Sequence, residues 1–136
     1  KNMPDEWELH LIGNGERKLD DRTILHGELP YKSALALLST MDVGIAPFRN
    51  VNISGAADII KYYDYVSCGL RMAATDVLLE MVGRPYVHTA PKRQFISAVS
   101  DAVNCGRIPQ GEVKEFIANN SWSARAKQLR NAIWTP

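Results

Sequence analysis

The sequence predicts an α/β fold: a mostly parallel sheet with helices on both faces. Three observations lead there. Short apolar runs alternate with segments of helical spacing along most of the chain. Those runs are nearly continuous in apolar character, as in strands covered on both faces. Glycine or proline closes most of them.

Taken in order, the first strand is predicted over residues 7–12, closed by Gly13-Asn14-Gly15. A second, over 22–26, ends at Gly27. Pro30 opens a helix running to about Thr40, with Leu35, Leu37 and Leu38 on its apolar side. Residues 43–46 form a third strand, stopped by Pro47. A long polar loop over 48–56 leads into a helix over 57–68, terminated by Gly69. Strands follow over 70–74 and 86–88. The segment 93–104 is helical, with Phe95, Ile96, Val99 and Val103 at core spacing. A short helix is expected over 112–119. A last one over 122–134 is expected to take its N-cap from Ser121.

The 136 residues suit one domain spanning 1–136. Hydrophobic residues make up 46% and charged residues 23%, as in an ordinary soluble domain. Net charge is +1 and the basic residues are scattered, which argues against nucleic acid as a partner. Cys68 and Cys105 lack CxxC spacing, so neither a zinc site nor a redox motif is expected, and both read as buried thiols. No apolar run reaches the length of a membrane span. Asn52-Ile53-Ser54 and Asn119-Asn120-Ser121 match the glycosylation sequon, a pattern too short to argue from alone. The opening Lys1-Asn2-Met3-Pro4-Asp5 reads as a connection running into a strand, and truncation at the N-terminus is expected.

Ligands of open parallel sheets bind at the carboxyl ends of the strands. Four features fall there. Gly13 and Gly15 could bring backbone close to a phosphate or base, or form a plain turn. His26 could touch a base or phosphate, or be structural. Ser54, Gly55 and Ala56 precede a helix whose leading N–H groups suit a diphosphate. On that helix Asp58, Lys61 and Asp64 recur at a spacing of three. A lysine in a first turn opposes the helix dipole unless an anion compensates. A diphosphate would do so, and so would Asp58 and Asp64; spacing alone leaves both open. No Ser-His-Asp order, metal-ligand spacing, Walker pattern or full GxGxxG fingerprint occurs. A receiver-like signalling domain is disfavoured, because Asp42 begins a strand instead of ending one.

The stretch from Asp58 through Lys61, Asp64-Tyr65 and Gly69 to Thr75-Asp76 resembles the donor segment of GT-B glycosyltransferases of the group 1, family 4 type. Their pattern runs P-x-K-x-x-E-Y-x-x-x-G-x-P-V-V-x-T-D. Trp7 to Gly15, Asp42 to Phe48, Phe95 to Val103 and Asn120 to Ala126 are similar to other segments of that domain, in the same order. The resemblance implies one Rossmann-like half of a GT-B enzyme, the nucleotide-sugar-binding C-terminal domain. It implies transfer of a sugar from a nucleoside diphosphate to an acceptor hydroxyl, of a glycan or a lipid-linked sugar, as in polysaccharide biosynthesis. By it, Lys61 neutralises donor phosphate and Asp64 bonds the ribose hydroxyls. Gly13 and Gly15 approach the nucleotide, and Ser54, Gly55 and Ala56 face the diphosphate or sugar. The catalytic base belongs to an N-terminal acceptor domain absent from this sequence, so the piece alone is expected to be inactive.

No cofactor or metal is implied; the nucleotide sugar is a substrate. A likeness to lipid-linked glucuronosyltransferases favours UDP. A cytoplasmic location, with room for peripheral attachment at the inner face of the membrane, goes with it. Asp64 replaces the usual glutamate, Ile59 and Arg71 replace prolines, and Ala56 stands where retaining members carry a glutamate. The alternative is a non-catalytic module of the same fold that binds a nucleotide or a partner.

Overall fold

The computed structural model describes residues 3–15, 20–49 and 58–134. The fold is α/β, with parallel sheets packed against helices. The chain divides into two compact units, Lys1–Thr40 and Met41–Pro136. The strands accordingly lie in two separate parallel sheets.

In the first unit β1 (Leu9–Leu11) pairs in parallel with β2 (Thr23–Leu25), His10 opposite Ile24. Both strands are shorter than their apolar runs. Thr23 is buried, and Asp20 carboxylate Oδ1 accepts from its hydroxyl and from the Arg22 backbone N–H, fixing the entry into β2. Helix α1 (Tyr31–Leu38) follows, with Pro30 one position before it as N-cap.

The second unit holds the larger core. β3 (Val43–Ala46), β4 (Arg71–Thr75) and β5 (Val87–Ala90) pair in parallel in that order. Central β4 is buried on both faces, as its run Met72-Ala73-Ala74 requires. Met72 and Ala74 join Ala46, Tyr62 and Val66 in the cluster under α2 (Ile60–Ser67). Strand alternation turns Ala73 to the opposite side. There α3 (Phe95–Asn104) packs against β4 and β5 and buries Ala98, Val99 and Ala102. The buried face of α3 is thus 98-99-102. Ile96 and Val103, expected in the core, are exposed, because the face that meets the sheet is centred on Ala98, Val99 and Ala102 and leaves both outside it. Helix α4 (Gln110–Asn120) packs on α2 through Val113 and Phe116, and α5 (Trp122–Trp134) packs on α4.

The caps explain most boundaries. At the end of α2, Leu70 N–H donates to Tyr65 carbonyl (2.9 Å) and Gly69 N–H to Val66 carbonyl (2.9 Å). This is a Schellman closure, and Gly69 takes the required left-handed conformation at φ 79°. Ser121 Oγ accepts the Ala124 N–H at 3.2 Å, the N-cap expected for α5. Before β5, two successive turns replace the expected strand start. Val82-Gly83 and Pro85-Tyr86 occupy their central positions, with Gly83 at φ 77° and Tyr86 at φ 65°. Tyr86 therefore leaves the strand. A 3₁₀ turn at Leu79–Met81 precedes them, and another at Lys92–Gln94 precedes α3.

Neither cysteine is in a disulfide, but Cys105 is exposed and Cys68 only half-buried, so neither fits the expected buried pair. Each lies at a helix C-cap, where the chain turns at the surface.

His88 on β5 supplies a pH-dependent term. Burial lowers its pKa, the Arg71 charge lowers it further, and Asp101 opposes both. The native imidazole is therefore neutral where the unfolded one, titrating near 6.5, is already protonated. The contribution is whole above that value and is lost as pH falls through the lower native pKa. Melting curves at pH 7.5 and 5.5 should show a smaller acid-induced drop in His88→Asn than in wild type. Equal drops would remove His88 from the account.

Candidate functional site

Helix α2 leaves the carboxyl end of β3 and returns through Gly69 to the amino end of β4, so its first turn lies at the carboxyl edge of the sheet. Ser54, Gly55 and Ala56, expected to face a diphosphate, lie outside the described residues. The helix starts at Ile60, later than expected, and its N-cap, Ile59, is extended at φ −84° and ψ 124°. Among the described residues no side chain caps that end. Lys61 is exposed in the first turn, and Asp64 follows on the same helix, half-buried.

Asp58 does not serve as the partner of Lys61. It lies ahead of the helix, where its Oδ1 is 3.2 Å from an Arg84 guanidinium nitrogen and its Oδ2 accepts from the Tyr63 hydroxyl at 2.9 Å. Among the described residues no ion pair holds Lys61. A half-buried Arg84, ahead of β5, thus draws off the carboxylate that spacing offered to the lysine.

The remaining candidates lie in the first unit. Gly13 N–H donates to Gly27 carbonyl at 2.8 Å and Gly15 N–H to Gly13 carbonyl at 2.9 Å. Gly13 is held at φ 127°, which only glycine adopts freely. A methyl group on either glycine would meet nothing within 4 Å. His26 Nε2 sits 2.9 Å from His10 Nδ1, and the two rings stack with centroids 5.2 Å apart. One imidazole donates to the other, and His10 Nε2 lies 3.5 Å from Glu8. All three positions therefore already have local structural work.

A second constellation escaped sequence reasoning. An open cleft of about 450 Å³ lies between α2, α4, the start of α5 and the turn before β5. Tyr62, Tyr63 and Phe116 line it with aromatic rings, and Arg84, Arg125, Glu112, Glu115 and Asn119 supply polar groups. Tyr63 hydroxyl is a hub: it donates to Asp58 and accepts from Arg84 (3.2 Å) and Arg125 (3.4 Å). Arg84 lies over the Tyr62 ring at 5.2 Å and Arg125 over the Tyr63 ring at 6.0 Å. Burial alone would lower the Arg84 pKa, but the Tyr63 hydrogen bond and the Asp58 charge more than offset it, so Arg84 is held cationic. The signal for this cleft in the sequence is the Tyr62-Tyr63 doublet between Lys61 and Asp64.

Among the described residues no group of three His, Cys, Asp or Glu side chains could hold a metal ion, and no helix is long and apolar enough to cross a membrane. Comparison of the chain with family models, with curated proteins and with solved structures finds no match.

Proposed function

We propose that this chain is the donor-binding half of a GT-B glycosyltransferase that moves a sugar from a nucleoside diphosphate, UDP by preference, to an acceptor hydroxyl. The observation that carries the reading is the leading turn of α2. Its N–H groups have no side-chain cap among the described residues, Lys61 stands exposed among them, and Asp58 is committed to Arg84. An ammonium at a helix N-terminus is electrostatically unfavourable until an anion arrives. A diphosphate meets both sources of positive potential at once.

In this reading departure of the diphosphate builds negative charge on its oxygens. Lys61 and the helix N-terminus stabilise that charge as preorganised donors. Asp64 accepts from the ribose hydroxyls. The acceptor side and the base come from an N-terminal domain.

Calorimetric titration of the chain with UDP should give saturable heat. Lys61→Ala should weaken the affinity about tenfold, by loss of one charge-assisted contact. In the two-domain enzyme the same change should lower turnover by about tenfold or more. Absence of saturable heat with both UDP and GDP would sink the reading. The rival is a non-catalytic module of the same fold, favoured by the local engagement of Gly13, Gly15 and His26. A two-domain protein that binds UDP but transfers no sugar would decide for it.

A further inference from the structure

We infer that the cleft beside α4 is a second binding site, for a neutral sugar ring of a saccharide. It is separate from the donor region: neither Lys61 nor Asp64 lines it. Its volume, about 450 Å³, falls in the ordinary range for small-ligand clefts.

Charge sets the class of ligand. Arg84 is matched by Asp58 at 3.2 Å and Glu80 at 3.9 Å. Glu112 Oε2 accepts from the Tyr86 hydroxyl at 2.9 Å. Glu115 makes no hydrogen bond or ion pair among the described residues, and it lines the cleft. Arg125 also lines the cleft and has no carboxylate partner among the described residues, so a phosphate or carboxylate entering here would meet one unmatched charge of each sign and gain no net attraction. A cation fares no better. Guanidinium groups already cover the Tyr62 and Tyr63 rings that would attract it.

A neutral ligand remains, and the polar groups say which kind. Glu115 only accepts hydrogen bonds, Arg125 only donates, and Asn119 does both. Glu115 and Asn119 are four apart on α4, so they lie on one face and both line the cleft. Arg125 is anchored by Asn120 Oδ1 at 2.9 Å and by the Tyr63 hydroxyl, and keeps further N–H groups. Between them the half-buried Phe116 offers the cleft an apolar ring that no guanidinium among the described residues covers. A molecule with one apolar face and a rim of hydroxyls, each both donor and acceptor, matches that arrangement. A pyranose is such a molecule.

The test is saturation-transfer NMR on the whole chain. The probes are methyl glucopyranoside, methyl galactopyranoside and N-acetylglucosamine, with inorganic phosphate and tetramethylammonium as charged controls. At least one pyranoside should bind. A double variant, Glu115→Ala with Asn119→Ala, should weaken it at least about tenfold by loss of two polar contacts. Both side chains are exposed, and alanine suits a helix, so the melting temperature should stay within about 2 °C of wild type. Lys61→Ala should leave pyranoside binding unchanged, which separates this site from the donor site. The inference is overturned if no pyranoside binds, if the double variant binds as wild type does, or if phosphate or tetramethylammonium displaces the sugar.

Discussion

Gly44→Ala should cost the second unit about 3 kcal/mol or more, a large part of the stability of a domain this size. Gly44 lies within β3 opposite Met72, on the side that faces α2. A Cβ built there overlaps the Tyr65 ring, 2.6 Å from Cε2 and closer to two other ring carbons. The ring has little room to retreat. Its hydroxyl donates to Ile45 carbonyl at 3.2 Å, and burial raises its pKa, as expected of a phenol held out of water. The glycine thus marks a close approach of helix to strand. Urea unfolding followed by circular dichroism measures the loss. Paired with Tyr65→Ala, which removes the ring, the same glycine change should cost under about 1 kcal/mol. A Gly44→Ala protein within about 0.5 kcal/mol of wild type would refute the contact.

That contact was invisible in the sequence, where Gly44 was simply part of a strand. β3 itself was legible to the residue, because Pro47 ends its apolar run. Helix α5 was equally legible, because Ser121 caps it. Both boundaries are set by neighbouring residues. Boundaries set by distant residues were not. The late start of α2 goes with Asp58 reaching Arg84, a residue of another element. The shift of β5 follows from the turn that takes Tyr86 to φ 65°, a conformation no tyrosine advertises. The face of α3 was legible only in part: Val99 is buried as its spacing predicts, but Ala98 and Ala102 beside it carry little weight in a hydrophobic pattern.

The site divides in the same way. An exposed lysine in the first turn of α2 could be read from spacing, but the fate of its acidic neighbour could not. Asp58, Lys61 and Asp64 looked like one ladder. Only Lys61 and Asp64 belong to the helix, and Asp58 belongs to a network with Arg84 and Tyr63. That removal leaves Lys61 without an ion pair among the described residues. The aromatic cleft needed residues from α2, α4, α5 and the turn before β5 at once, a convergence that only the fold supplies.

Tyr62 shows how closely the cleft depends on the core. It is 3% exposed, meets Tyr63 edge-on at 5.1 Å and Phe116 at 5.5 Å, and carries Arg84 over its face. Its hydroxyl donates to Pro85 carbonyl at 3.3 Å. Tyr62→Ala should therefore cost about 3–5 kcal/mol, the usual loss for a buried aromatic ring. Tyr62→Phe keeps the ring and loses one hydrogen bond, about 1 kcal/mol. The alkaline limb gives an independent check. Burial raises the Tyr62 pKa, with Arg84 opposing, so the native phenol stays protonated where the unfolded one ionises. That contribution is whole below pH 10 and is lost as pH rises through the higher native value. Stability should thus fall less steeply above pH 10 in Tyr62→Phe, though not vanish, since Tyr65 and Tyr86 shift the same way. Equal losses for the alanine and phenylalanine variants would mean that the hydroxyl, not the ring, holds α2 against α4.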